Sequence, residues 1–594
     1  MRLPPLPFFV PAILCMLFGL SGQIPHAFGQ FGPKPNNKPN QGNAPELPAW
    51  TVEMQKQWWQ THNSPEAWTA QADELRATLV TMQRLRGTKW AMRSTDFRRW
   101  LGHTWWLSLF PQNPNESGAF ARPEIHNAYK ALALDAELPW RFLAALRAED
   151  DATAALGILC ELAASDLPAV RAYPNLAIAT AVVWDQPLPA AWPHTFVERR
   201  NVPIGRESIV ERFRFWIRAH RAGVLVTDPR KLSVNDLCFV INNPLEFAEL
   251  QYGQRFRLKN PDQLWDLYNA VEYDHDRVNK QAAPGWQRGA YRLNSIWDNG
   301  GICADQAYLA SSVFQAKGVP AILFLGQGSN GGHAWVGYRK TDGNWVLDVA
   351  RYRHQNYPVG QAYHPQTRQR ISDAELESFA RNLDTSGNWS RTRIFLCWAR
   401  MNPKQPFYGE LVSGARKLLP DLPETWELEE RWCQENRVDP KRQAAFYARW
   451  INHFEKQPAM RFRGQKGLYK LYQKIGATRE AEALRKQMLD ETRVKRFDLG
   501  IHLASEEIFE LIERRNWPEA RAEFERTMSI FRQNAGGHLF YSLMQPYVVA
   551  CLDDRQVRFA RDAMQHARRF DLSRTTILSN DIRALDERVK ADPR

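Results

Sequence analysis

The stretch from Trp297 to Tyr352 constrains this chain more than any other, because its apolar period switches from helical to alternating across a few glycines. Ala307, Ala310 and Phe314 recur at helical spacing and Gly318 supplies a stop, so a helix is expected to begin close to Cys303. A thiol at that end feels the positive pole of the helix. With an imidazolium nearby, such a position lowers a cysteine pKa and supplies the nucleophilic thiolate. Gly300 and Gly301 allow a sharp turn before the helix and bring amide N–H groups, that of Cys303 included, towards a developing oxyanion.

The second half of the stretch reads as strands. After Val319-Pro320-Ala321, an apolar run leads to Gly326; then His333, Trp335 and Gly337 alternate with Ala334, Val336 and Tyr338. Asp342-Gly343 marks a hairpin before Trp345-Val346-Leu347-Asp348-Val349. His333 is then the candidate base, and Asp348 the carboxylate that would hold its tautomer. A two-residue turn would pair Thr341 with Asn344 and leave His333 and Asp348 roughly 13 Å apart along the strands. A triad therefore requires a bulge or another register. Trp297 and Trp335 are candidate groove walls or, through the indole N–H, oxyanion donors, with a core role as the alternative.

Each residue alone has an ordinary structural reading, but the order of a Gly-Gly-x-Cys helix start, a Val-Pro-Ala strand, a His-Ala-Trp strand and a Trp-Val-x-Asp strand is informative. At these residues the chain resembles the transglutaminase-like superfamily. The resemblance implies an α+β, papain-like core, a cysteine-bearing helix packed on an antiparallel sheet, with Cys303 as nucleophile, His333 as base and Asp348 as third member. It is sharp only over about 297–352 and extends at most over roughly 230–395. It leaves the substrate open, since members cross-link proteins, cleave peptides, remove glycans from asparagine or have lost activity.

The flanks read as large all-α regions. Residues 1–29 have the form of a secretory signal, with a short positive region, an apolar run and Ala27-Phe28-Gly29 as cleavage site; an uncleaved anchor is the alternative. Residues 30–47 read as a flexible linker, 48–225 as a helical region, 226–398 as the catalytic domain and 399–594 as a helical, repeat-like domain. In the last, Arg479–Leu484, Pro518–Phe524 and Val557–Ala563 look alike at intervals of roughly 40 residues, weakly resembling tetratricopeptide-type repeats. Such an array is a candidate surface for an envelope protein partner.

Composition narrows the rest. The net charge of +13 is scattered rather than clustered and no nucleic-acid motif is present, so nucleic acid is not expected as a partner. No segment after the signal is expected to span a membrane, and the mature chain is expected to be secreted or in a cell envelope. Seven cysteines are too few for a disulfide-built scaffold. No ligand spacing points to a metal, and no cofactor is expected. The expected chemistry is attack of Cys303 on a protein or peptide amide to form a thioester, then transfer to an amine or to water. Two alternatives stay open: a cysteine protease or amidase only, and a non-catalytic envelope scaffold carrying a degenerate transglutaminase-like module.

Overall fold

The computed structural model describes residue 47 and residues 49–591, apart from 62–63, 112–117, 259–263, 280–282, 285, 287–289, 329–330, 353–356, 382–386, 535 and 568–576. The expected signal at 1–29 and almost all of the expected linker lie outside the described residues. The chain is 68% helical with one small antiparallel sheet, an α+β architecture flanked by α regions.

Local signals set many helix starts. The side chains of Ser64, Ser94, Asp151, Ser208 and Ser233 each accept from the free amide of the third residue of the helix that follows. The helix Ala152–Ala172 is long and apolar enough to cross a membrane by length and composition, with mean hydropathy 1.4. Leu156, Leu159, Cys160 and Leu162 are buried in the protein core, and the helix is kinked at Asp166, two residues before Pro168.

The sheet has five strands: β1 (Ala321–Gly328), β2 (Gly331–Arg339), β3 (Trp345–Val349), β4 (Gly360–Tyr363) and β5 (Arg370–Ser372). Their order is β3-β2-β1-β4-β5, and every pairing is antiparallel. The helix Cys303–Ala316 packs on β1 and β2. Ala334, Val336 and Tyr338 face a core shared with Ala304, Ala307 and Phe314, whereas Ile322, Phe324 and Trp335 enter a second core with Leu376, Phe379 and Trp398. The period of two thus sends alternate residues of β2 to opposite layers.

From residue 423 onward the chain forms four helical hairpins: Pro423–Glu435 with Pro440–His453, Pro458–Lys474 with Thr478–Thr492, Phe497–Glu513 with Trp517–Ile530, and Gln545–Asp553 with Val557–Ala567. Each turn contains one left-handed residue, Arg437, Gly476, Arg515 and Arg555, at intervals of 39, 39 and 40 residues. In each, the following amide reaches back five residues, as Ala477 N–H does to the Tyr472 carbonyl at 2.9 Å and Gln556 N–H to the Cys551 carbonyl at 2.7 Å. This is the Schellman cap, which satisfies the last free carbonyls of a helix and favours glycine at the left-handed position.

Arginine stands at three of these four positions, so strain is stored there. Replacing exposed Arg555 by glycine is expected to raise stability by about 0.5–1 kcal/mol, and Gly476→Val to lower it by about 1–2 kcal/mol. Urea denaturation of the two variants checks both signs.

Candidate active site

Cys303 is the first residue of its helix, and the segment before it is held by close backbone approach. Gly301 pairs with Tyr273 in an isolated parallel bridge, its amide donating to the Glu272 carbonyl at 2.9 Å and its carbonyl accepting from Asp274 N–H at 3.0 Å. Gly300 has φ 73°, and a Cβ there would lie 2.5 Å from the Glu272 oxygen. A Cβ on Gly301 would lie 2.5 Å from Cβ of Asp305. Both glycines are therefore required by space, and Gly300 also by conformation.

Asp305 fastens this turn from inside. Its carboxylate accepts from Ile302 N–H at 2.9 Å and from the Tyr291 hydroxyl at 2.7 Å, and pairs with Arg277. Burial pushes the Asp305 carboxyl up from its ordinary range, and Arg277 pulls it down. Tyr291 is in turn hydrogen-bonded to His194 at 2.8 Å. Tyr268 ties the helix to the sheet: its hydroxyl donates to the Ala334 carbonyl at 2.9 Å, with the Cys303 carbonyl at 3.4 Å.

The thiol lies against the residue after His333. Amide hydrogen bonds from Ala334, Ala304 and Cys303 itself act to lower its pKa, but burial outweighs them and Asp305 adds repulsion, leaving it raised to about 11. A helix start alone favours a thiolate; that start is present, but the site is too poorly solvated to hold the charge. Tyr268, Tyr273, Tyr352 and Tyr357 surround the group, and their phenols are pushed up first by burial and then by the charge on Cys303. Among the six described cysteines, all free thiols, Cys303 alone is not fully buried.

His333 is buried on β2 between the rings of Tyr352 and Tyr357, stacked at centroid distances of 4.8 and 5.2 Å. Its Nε2 lies 2.7 Å from the Ala350 carbonyl oxygen. A carbonyl only accepts, so this bond places the proton on Nε2 and leaves the Nδ1 lone pair free. Burial pulls the imidazole pKa down, so both it and the thiol rest in their neutral forms at neutral pH. No hydrogen bond joins the two side chains among the described residues.

The hairpin explains where Asp348 goes. The loop has three residues, not two, with Lys340 N–H on the Asn344 carbonyl at 2.8 Å and Gly343 at φ 95°. Arg339 pairs with Trp345 and Tyr338 with Val346, but Val336 pairs with Val349, so Leu347 and Asp348 bulge opposite Gly337 alone. The bulge the sequence argument required is present, yet it does not deliver the Asp348 carboxylate to His333. Asp348 is exposed, and the partner of His333 is the carbonyl of Ala350, a buried residue held at φ 65°. That left-handed alanine is strained backbone at the site itself.

The tryptophans are placed as follows. Trp335 is fully buried and its indole N–H donates to the Leu347 carbonyl at 3.0 Å, so it is a core residue and not an oxyanion donor. It occupies a slot over Gly326 and Gly360, where any side chain would strike its ring. Trp297 is half-buried and packs edge-on against Phe256 at 4.9 Å. Ala350, Tyr268 and Tyr357 escaped sequence reasoning. Ala350 and Tyr352 lay inside the informative stretch, but nothing local marks a left-handed alanine, or a tyrosine 35 residues upstream of Cys303, as belonging to the site.

Among the described residues no group of three or more His, Cys, Asp and Glu side chains could hold a metal ion. The chain matches no family model, no curated protein and no solved structure.

Two outcomes test this geometry. The rate of Cys303 alkylation by iodoacetamide is expected to climb with pH towards a midpoint near 11, as burial dictates; a midpoint below the free-thiol value of about 8.5 would contradict it. Asp305→Ala is expected to cost about 3–5 kcal/mol in chemical denaturation, because it leaves the Arg277 charge and the Ile302 amide without their partner.

Proposed function

We propose that the chain is a transglutaminase-like cysteine enzyme with a papain-like core, forming a thioester from a protein or peptide amide and passing it to an amine or to water. The observation that carries this reading is the arrangement at one point of a thiol on the first turn of a helix and a histidine whose Nε2–H is fixed by a carbonyl. Such a pair works from neutral partners. As Sγ of Cys303 attacks the amide carbonyl carbon, its proton passes to Nδ1 of His333, so no resting thiolate is needed. The amides of Cys303 and Ala304, which converge on the thiol, are oriented to receive negative charge as the carbonyl oxygen becomes an oxyanion. His333 then gives the proton to the leaving amine, and the thioester remains. Water or a second amine takes the acyl group by the reverse sequence of proton transfers.

The oriented carbonyl of Ala350 does what the sequence argument gave to Asp348, holding the tautomer without contributing a full charge. Apo sites often show such partners apart and draw them together only on the substrate, which accommodates the lack of a thiol–imidazole hydrogen bond. A second reading is favoured by that same separation and by the raised thiol: a structural module whose helical flanks bind a partner. The two readings differ in an assay of fluorescent primary-amine incorporation into glutamine peptides, with ammonia release followed in parallel. Cys303→Ala and His333→Ala are expected to lower both signals by about 100-fold or more. Signals equal in wild type and both variants, or no signal in any of them, would favour the scaffold.

A further inference from the structure

A pocket of about 370 Å³ opens against the candidate site, within the size range of small-molecule and side-chain sites. Its inner wall includes Tyr352 and Tyr357, the rings stacked on His333, so a group filling it is separated from the imidazole by a single ring. Its outer wall comes from far along the chain. Val494 and Lys495 lie in the turn between the helices Thr478–Thr492 and Phe497–Glu513 of the C-terminal hairpins, and Phe497 seats that turn in the core.

The two walls are held in register. Arg351, whose guanidinium lies 5.0 Å over the Trp335 ring, donates to the Tyr357 carbonyl and pairs with Asp373 at 2.7 Å, which pins Tyr357 over His333. At the neighbouring end of the sheet, a Cβ on Gly537 would meet Gly331 Cα at 3.1 Å, and Leu578 faces the same glycine. The short helix Gly537–Leu539 between the third and fourth hairpins, and the helix Ile577–Ala591 after the fourth, are thus packed on the strand that carries His333.

The outer wall has the marks of an uncovered recognition surface. Val494 is 73% exposed, more than any other exposed large apolar residue described, and it stands at the pocket instead of on a remote face. Beside it, exposed Lys495 and Arg493 make no side-chain hydrogen bond or ion pair among the described residues. The other cations are consumed, Arg351 by Asp373 and Arg496 by Asp498 at 2.7 Å. Asp348 is the one anion among the described residues lining the pocket and stands against Lys495, so the positive surplus of the turn comes from exposed Arg493 beside them, on a chain already at +13. An occupant that covers Val494 and neutralises Lys495 pairs an apolar side chain with a carboxylate.

We propose that this pocket is the substrate-recognition subsite of the Cys303 site, and that it takes a peptide segment with an apolar residue next to an acidic one. The C-terminal hairpins then select the substrate for the chemistry carried by the helix and the sheet. This inference rests on the acyl-transfer reading for its role, but the binding preference can be measured apart from it.

The test uses two chloroacetamide peptides of equal length, identical except for Leu-Glu or Leu-Lys in the flank, with labelling of Cys303 in the full chain followed by mass spectrometry at pH 9. Each rate is divided by that of iodoacetamide on the same variant. The acidic probe is expected to label about threefold to fivefold faster, the worth of one partly exposed ion pair. Lys495→Glu should reverse the preference, Lys495→Arg should keep it, and Val494→Ser should slow both probes. Equal rates for the two probes on the wild type, or a preference untouched by Lys495→Glu, overturn the inference even where amine incorporation proceeds. A preference that follows Lys495 in a protein that incorporates no amine keeps the subsite and removes the acyl-transfer reading.

Discussion

The carboxylate of Asp305 is the interaction on which the candidate site depends. It stands in the first turn of the Cys303 helix with no exposed surface, and it holds the backbone of Ile302, the Tyr291 hydroxyl and the Arg277 guanidinium at once. A buried carboxylate is costly unless every oxygen is engaged, and here both are. The same group shapes the approach, since glycine at 301 is needed only because Asp305 fills the space a side chain would take. Its negative charge adds to the burial that opposes ionisation of the thiol two residues away, so the group that fixes the position of Cys303 also helps to keep it protonated.

That trade explains the form of the rest of the site. In the proposed chemistry a protonated thiol needs a base that is neutral and correctly protonated before the reaction, and burial of His333 together with the Ala350 carbonyl would supply one. A carboxylate in place of that carbonyl would favour an imidazolium and a resting ion pair. The bulge at Leu347 and Asp348 turns the strand so that a backbone oxygen faces the imidazole, and the cost appears as a left-handed alanine. In the proposed chemistry the proton then moves only when substrate arrives.

The C-terminal hairpins add a different kind of order. Their four left-handed turns recur every 39 or 40 residues because each hairpin closes with the same cap, and repetition of a local motif stacks the helices without long-range instruction. The turn between the second and third hairpins is the one that reaches the pocket beside His333. Its exposed Val494 departs from the pattern of the packed faces, which is what the proposed recognition role requires.

Much of this was legible in the residues alone. The helix from Cys303, the alternation through His333 and Trp335, the hairpin at Asp342-Gly343 and the intervals of the C-terminal segments are all visible, because each depends on contacts within a few residues. The register was not, since a two-residue and a three-residue loop fit the same Asp-Gly signal and the bulge is decided by packing of Leu347 against Gly337. Nor were the partners: Trp335 looked like a groove residue until Gly326 and Gly360 formed its slot, and Asp348 was expected beside His333, where the carbonyl of Ala350 stands. Local sequence determined which groups are candidates for the proposed chemistry and on what elements they lie. Tertiary structure decided their charge, because burial raises the Cys303 thiol and lowers the His333 imidazole, and no short-range pattern records how segments far apart in the chain, those of Tyr268, Tyr273, Tyr352 and Tyr357 among them, meet at one point.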